Sequence, residues 1–143
     1  MNNNMKLEFL SISENESFAR CAISAFVSQL NPTLDELEDI KAAVSEAVTN
    51  IVVHAYGDKT GMVYITCVLC EDTAVITIKD TGCGIENIEL ARTPLYTASH
   101  DSERSGLGFT VMETFMDEIE VVSEKGGGTT VTLTKRIGNQ KEV

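Results

Sequence analysis

Apolar residues recur three or four apart at Leu34, Leu37, Ile40, Val44, Val48, Ile51 and Ala55. That is the period of an amphipathic helix with one buried stripe, and it predicts the longest helix, from about Leu34 to Tyr56. Asn31-Pro32-Thr33 supplies its start: Thr33 suits the N-cap, with Glu36 three residues on as in a capping box. Gly57 suits its stop. An earlier helix runs from the cap residues Ser13 to Glu16 as far as Leu30. Its apolar side takes Phe18, Cys21, Ala22, Ala25, Phe26 and Leu30, and Arg20 and Ser24 fall away from that side. Gly106 to Met116 reads as a third helix, with Leu107, Val111, Met112 and Phe115 together.

Between these helices the period drops to two. Lys6 to Ile12 reads as a first strand. Met62 to Cys70 and Thr73 to Lys79 form a hairpin across Glu71-Asp72. Glu118 to Ser123 and Thr129 to Lys135 form another across the glycine turn that follows Lys125. Met1 to Asn4 is expected to fray, and the polar tail 138–143 to be disordered. The pattern weakens from Ile85 to Ser105: Ile88 to Ala91 suits a helical turn, and Thr97 to Arg104 a mobile loop. A loop of that length in a compact domain points to function. The order strand, helix, helix, hairpin, loop, helix, hairpin predicts an α+β two-layer sandwich, with helices on one face of a mixed sheet. At 143 residues the chain is expected to be a single domain, with a core of about 6–136.

Composition changes this picture little. Apolar residues make up 43% and charged residues 23%, an ordinary globular balance. The net charge of −11 matters more. It repels phosphate backbones, so no direct nucleic-acid binding is expected, and it favours a basic protein partner. No run has the length of a membrane span, and no basic segment followed by an apolar core opens the chain, so the reading is cytoplasmic, without a membrane. Of the four cysteines (Cys21, Cys67, Cys70, Cys83), Cys67 and Cys70 form a C-x-x-C. In a strand, residues three apart point to opposite faces, which argues against a shared metal or disulfide.

Chemistry gathers in four places. Glu46 and Asn50 stand one turn apart on the longest helix, with His54 continuing the line and small Ala43 leaving room above it. A carboxylate there can take a proton, and an amide oxygen can bind a hard cation such as Mg²⁺; a plain solvated stripe has the same spacing. Asp80-Thr-Gly-Cys-Gly84 follows a strand directly. Asp80 can accept from an exocyclic amine such as adenine carries, and Gly82 and Gly84 let a ligand lie against the main chain; the same letters also make simple turns. Arg104-Ser-Gly-Leu-Gly-Phe109 opens a helix, where free N–H groups attract anions. It lacks the Lys-Ser/Thr of a Walker A loop and the preceding strand of a Rossmann fingerprint. Gly128-Thr129-Thr130 leads into the last strand, where either hydroxyl can reach a ligand or cap the turn.

In this order the motifs resemble those of the GHKL ATPases, the superfamily of gyrase, Hsp90, sensor histidine kinases and MutL. Glu46-x-x-x-Asn50 matches the N box, Asp80-x-Gly-x-Gly84 the first glycine box and Arg104-Ser-Gly-Leu-Gly108 the second. The resemblance implies a Bergerat sandwich. Asn15-Glu-Ser-Phe-Ala-Arg20, Ser45-Glu-Ala-Val-Thr-Asn50 and Met112-Glu-x-Phe-Met-Asp117 narrow it to the anti-sigma factor serine kinases, nearest the sporulation members. The likeness runs from about Leu7 to Lys135. It implies ATP/ADP and Mg²⁺ as cofactors, with Asn50 holding the metal and Glu46 as general base. It further implies Asp80 on adenine, Gly82 and Gly84 shaping the pocket, and Ser105, Gly106, Leu107, Gly108 and Phe109 on the phosphates. Arg104 would lie near the γ-phosphate, and Thr97 and Thr130 would be lesser ATP contacts. The implied partners are a sporulation sigma factor of the sigma F type, bound partly through Arg20, an anti-anti-sigma protein phosphorylated on serine, and a second copy in a homodimer. An ATP-gated binding module without kinase activity, or a kinase for a stress-response sigma factor, fits the same boxes.

Overall fold

The computed structural model describes residues 2–85 and 107–138. Among the described residues five strands and three helices follow one another: β1 (Asn2–Leu10), α1 (Glu14–Val27), α2 (Leu34–Asn50), β2 (Met62–Cys70), β3 (Thr73–Lys79), α3 (Leu107–Phe115), β4 (Glu118–Glu124) and β5 (Gly128–Arg136). A 3₁₀ turn, Ser28–Leu30, closes α1, and a π-helical turn, Ile51–Ala55, extends α2. The expected helical turn and loop between Ile88 and Arg104 lie outside the described residues.

The strands form one sheet in the order β1-β2-β3-β5-β4, antiparallel at every pairing. A mixed sheet is therefore not what forms among the described residues. Both hairpins reverse direction, and the second arm of the second hairpin, β5, takes the free edge of β3. β4 thus runs parallel to β3 without touching it. Alternation along the strands sends Val63, Ile65, Cys67 and Leu69 of β2, Ala74, Ile76 and Ile78 of β3, and Val131 and Leu133 of β5 to the helical side. There they meet Ile23 of α1, Ile40, Val44 and Val48 of α2, and Met112 of α3. Helix α2 packs against both α1 and α3. Cys67 is buried and Cys70 exposed, on opposite faces as the alternation requires.

Helix α2 begins as its sequence predicts. Thr33 accepts from the Glu36 N–H at 3.1 Å, and the Glu36 carboxylate accepts from the Thr33 N–H at 2.8 Å. Glu36 is 7% exposed, and its second oxygen accepts the N–H of Gly138 at 2.8 Å. Gly138 is therefore held, not part of a loose tail. Leu34 is the exception to the predicted stripe: at the first turn it is 83% exposed, beyond the reach of the sheet. Ala43 lies in the core rather than beneath the polar line, and with Ala47 it leaves no bulk between α2 and its neighbours.

Three further expectations are corrected. Asn2 to Asn4 do not fray: they pair with Cys70, Leu69 and Val68, because β2 is long enough to offer nine ladder partners and the ladder is made by main chain. The strand ends at Leu10 rather than Ile12, where Ser11 turns to donate its N–H to the Gly61 carbonyl. In α1 the buried residues are Ala19, Ile23, Ser24 and Val27, whereas Phe18 is 50% exposed and Cys21 and Ala25 face solvent. Ser24, expected away from the apolar side, is buried beside Ile23. Arg20 lies beside these residues, and its guanidinium reaches Ser45 of α2 at 3.3 Å and Glu16 at 3.3 Å.

Candidate functional site

Glu46 and Asn50 sit half-buried on α2, where it crosses the start of α3. The crossing is close because Gly108 has no side chain. A Cβ there would lie 3.2 Å from Glu46 Oε2, 3.2 Å from Asn50 Nδ2 and 3.3 Å from Asn50 Oδ1. A carboxylate and a carboxamide therefore converge on one point, over the first turn of α3. In an α-helix the leading N–H groups of the first turn have no intrahelical acceptor. Phe109 is buried in the core, so its side chain anchors the turn and only its main chain is offered to a ligand. After Asn50 the backbone changes to the wider i→i+5 pattern. A spacing of four then no longer stacks side chains, and His54 leaves the line of Glu46 and Asn50. Its neighbour Ala55 presents its carbonyl instead, which accepts the Cys83 N–H at 2.7 Å.

That bond docks the Asp80–Gly84 turn onto the end of α2. Gly82 lies so close to Ala55 that a Cβ would come 2.0 Å from the carbonyl oxygen. Gly84, at φ +78°, passes equally close to the Glu124 carbonyl. The turn is braced from β5 as well. Asp80 donates its N–H to the Thr129 carbonyl at 2.9 Å, and Gly128, at φ +89°, lies against the Asp80 carbonyl where a Cβ would come within 2.2 Å. Asp80 itself is 4% exposed. Burial pushes its pKa up, and N–H groups of Gly82, at 2.8 Å, and of Thr129 pull it partly back.

Asp80 faces the helices, two residues beyond inward-facing Ile78. The register pairs Ile78 with Val131, so Thr129 lies on the same face as Asp80. Thr130 pairs with exposed Lys79 and with Val122, on the opposite face of the sheet. Of the two threonines it is thus Thr129 that shares the Asp80 face; it is buried and hydrogen-bonded to Ser123 Oγ at 2.7 Å. Counting back by two from Val131 and Leu133 finds it. The structure brings Glu46, Asn50 and Gly108 together, and separately Asp80, Gly82, Gly84 and Thr129. Arg20, on α1, reaches Ser45, the chain neighbour of Glu46 on α2. Thr97, Arg104, Ser105 and Gly106 lie outside the described residues.

Helices on one face of an antiparallel sheet, with a buried carboxylate at a strand end and an acid–amide pair over a glycine of a second helix, form the architecture of the histidine kinase-like ATPases. The histidine kinase-like ATPase domain family matches residues 13–135. The fold matches the catalytic domain of the histidine kinase ThkA, at TM-score 0.60 and 16% identity over 96% of this chain and 99% of that one. It also matches a blue-light activated histidine kinase of Erythrobacter litoralis EL346, at TM-score 0.59 and 18% identity over 86% of this chain and 42% of that one. Closer in sequence are the Anti-sigma F factor of Clostridium perfringens strain SM101, 57% identical over 96% of this chain and 99% of that protein, and that of Bacillus thuringiensis strain Al Hakam, 52% identical over 97% and 96%. The chain belongs to the histidine kinase-like ATPase family and, within it, to the family of these anti-sigma F factors.

Proposed function

We propose that the protein is an anti-sigma factor that binds and inhibits a sporulation sigma factor and, with Mg-ATP, phosphorylates a serine of its anti-anti-sigma antagonist. The observation that carries the kinase half is the convergence of Glu46 and Asn50 on Gly108 at the start of α3. Phosphoryl transfer needs positioning, charge neutralisation and a base near the attacking oxygen. The residues fit Mg-ATP: the gap at Gly108 is one a Cβ would fill, and Asp80 is a buried carboxylate with main-chain donors on one side.

In this reading Asn50 offers its amide oxygen to Mg²⁺, and the leading N–H groups of α3, with Ser105 and Gly106, hold the phosphates. Asp80, Gly82, Gly84 and Thr129 select and seat the adenine. Thr97 is a lesser contact to the nucleotide. Bound Mg-ATP supplies the phosphoryl group. Glu46 takes the proton of the attacking serine hydroxyl as the new serine O–P bond forms and the bond from the γ-phosphorus to the bridging oxygen breaks, leaving ADP. Arg104 neutralises charge on the transferred group. A base beside the metal ligand favours a kinase over a gated binding module, because binding alone needs none.

The binding half rests on the names of the two relatives, on the net charge of −11, which suits a basic partner, and on the half-exposed guanidinium of Arg20. A sigma factor as partner places the protein in the cytoplasm. Leu10, Ile12 and Phe18, exposed beside the open edge of β1, support a homodimer.

The test is mass spectrometry of proteins that co-purify with the chain, before and after Mg-ATP, for wild type and Glu46→Gln. The wild type is expected to retain a sigma factor and add one phosphate to a serine of a small partner; Glu46→Gln is expected to bind nucleotide and abolish transfer. Undiminished transfer by Glu46→Gln overturns its role as base. A retained sigma factor with no phosphorylation by the wild type makes the gated binding module the correct account.

A further inference from the structure

Both peptide planes that flank the Asp80 α-carbon are pinned from outside its own turn. On one side the Asp80 N–H is fixed to the Thr129 carbonyl. On the other, the peptide joining Asp80 to Thr81 presents the Thr81 N–H, and this donates to Tyr56 Oη at 3.0 Å. The phenol cannot be donating back, because its one proton goes to the Met62 carbonyl at 2.5 Å. Its remaining lone pair faces Thr81 Oγ at 3.4 Å. The ring is fixed as well. Gly61 lies against it so closely that a Cβ would come 2.3 Å from the ring carbons. Gly61 is in turn tied to Ser11, with its N–H on Ser11 Oγ and its carbonyl accepting the Ser11 N–H, both at 2.9 Å.

From this geometry we infer that Tyr56 is a positioning residue for base selection, holding the Asp80–Thr81 peptide so that the buried carboxylate meets an exocyclic amine and rejects a carbonyl. The inference rests on the reading of Asp80 as the adenine contact. Tyr56 does not touch the nucleotide in this account; it fixes the peptide after Asp80, and so the place of the Gly82 N–H that holds Asp80 Oδ1 at 2.8 Å. No family box contains it, and it lies immediately beyond the π-helical turn. The widened turn therefore serves two contacts, the Ala55 carbonyl on Cys83 and the Tyr56 phenol on Thr81.

The experiment titrates the full chain with Mg-ATP and with the magnesium salt of inosine triphosphate, which carries a carbonyl where adenine carries its amine. The quantity read is the ratio of the two dissociation constants. Partial unfolding weakens both ligands alike, so the ratio reports on the folded site. Asp80→Asn calibrates it by placing an amide N–H opposite the purine, and the ratio is expected to move toward inosine. Tyr56→Phe keeps the ring on Gly61 and removes the pin; a loss of preference for ATP of about threefold to tenfold is expected, the scale of one hydrogen bond. Gly61→Ala drives the ring away with its hydroxyl intact and is expected to shift the ratio the same way. A shifted ratio in Asp80→Asn with wild-type ratios in both Tyr56→Phe and Gly61→Ala overturns the role of Tyr56 and leaves Asp80 as the adenine contact. An unmoved ratio in Asp80→Asn overturns the adenine reading, and the inference about Tyr56 with it.

Discussion

Asp80 is held inside the protein at the expense of the fold. Burial raises its pKa, and the N–H groups of Gly82 and Thr129 only partly offset this. A raised folded-state pKa means that the folded chain binds the proton more tightly than the unfolded one. Whatever stability this gives is present at low pH, and is lost as pH rises from the unfolded value of about 3.9 through the folded value. At neutral pH the ionised carboxylate is a burden. Asp80→Asn without nucleotide is therefore expected to melt at a higher temperature than wild type at pH 7, with the gap closing as pH falls into the carboxylate range; thermal melts across pH check this. Cys67 shows the same physics: burial pushes its thiol up to about 12. Sequence reasoning reaches Asp80 because a charged residue at the end of an apolar strand is conspicuous. It leaves Thr129 and Thr130 undivided, because two adjacent threonines differ in parity and not in chemistry. Tyr56 escapes it, since a tyrosine after a helix looks like any other and only the packed turn shows what its hydroxyl holds.

Helix α2 is the element the sequence describes most fully. Its capping box forms, and its stripe is buried from Ile40 to Ala55 with Leu37 half-covered. Helix α1 is legible as a helix and misread as to its face. It carries two apolar stripes, one through Ala19, Ile23 and Val27, the other through Phe18, Cys21, Ala22 and Ala25, and hydrophobicity alone does not say which meets the sheet. The interruption at Asn50 is invisible to periodicity, because a π-helical turn needs no breaker residue. Gly108 shows what the meeting of α2 with α3 demands. Within a helix, glycine is less favourable than alanine by about 1 kcal/mol, so Gly108→Ala ought to favour the helix. Its methyl would press on Glu46 and Asn50 at 3.2 Å, and those flexible tips would have to move. The expected result is a melting temperature within a few degrees of wild type, with Mg-ATP affinity lowered at least tenfold, read by calorimetric titration.

For the whole molecule, the two edges of the sheet differ in character. On β4, Glu118, Glu120 and Glu124 are exposed, and like charges there discourage strand-to-strand association. The β1 edge carries one exposed charge of each sign, Lys6 and Glu8, instead of a run of like charges, and close to it lie Leu10 at 51%, Ile12 at 37% and Phe18 at 50% exposure, with the Phe18 ring set edge-on to Phe9 at 6.1 Å. In the homodimer reading this is the apolar face that a second copy covers. Phe18→Glu is accordingly expected to give a monomer by light scattering at concentrations where wild type is a dimer, with Mg-ATP binding retained in each chain.

The strand order has a consequence for how such a molecule comes into being. β5 lies between β3 and β4, and its residues Gly128 and Thr129 brace Asp80, while Gly138 just beyond it completes the bonding of Glu36 at the head of α2. On a ribosome, Glu46, Asn50 and Asp80 are all made well before any of these. A nascent chain that has reached Lys125 owns the Glu46–Asn50 pair and the Asp80–Gly84 turn and still lacks Gly128 and Thr129, the floor beneath Asp80. The stretch from Gly128 to Gly138, made after them, is what turns a list of boxes into a pocket.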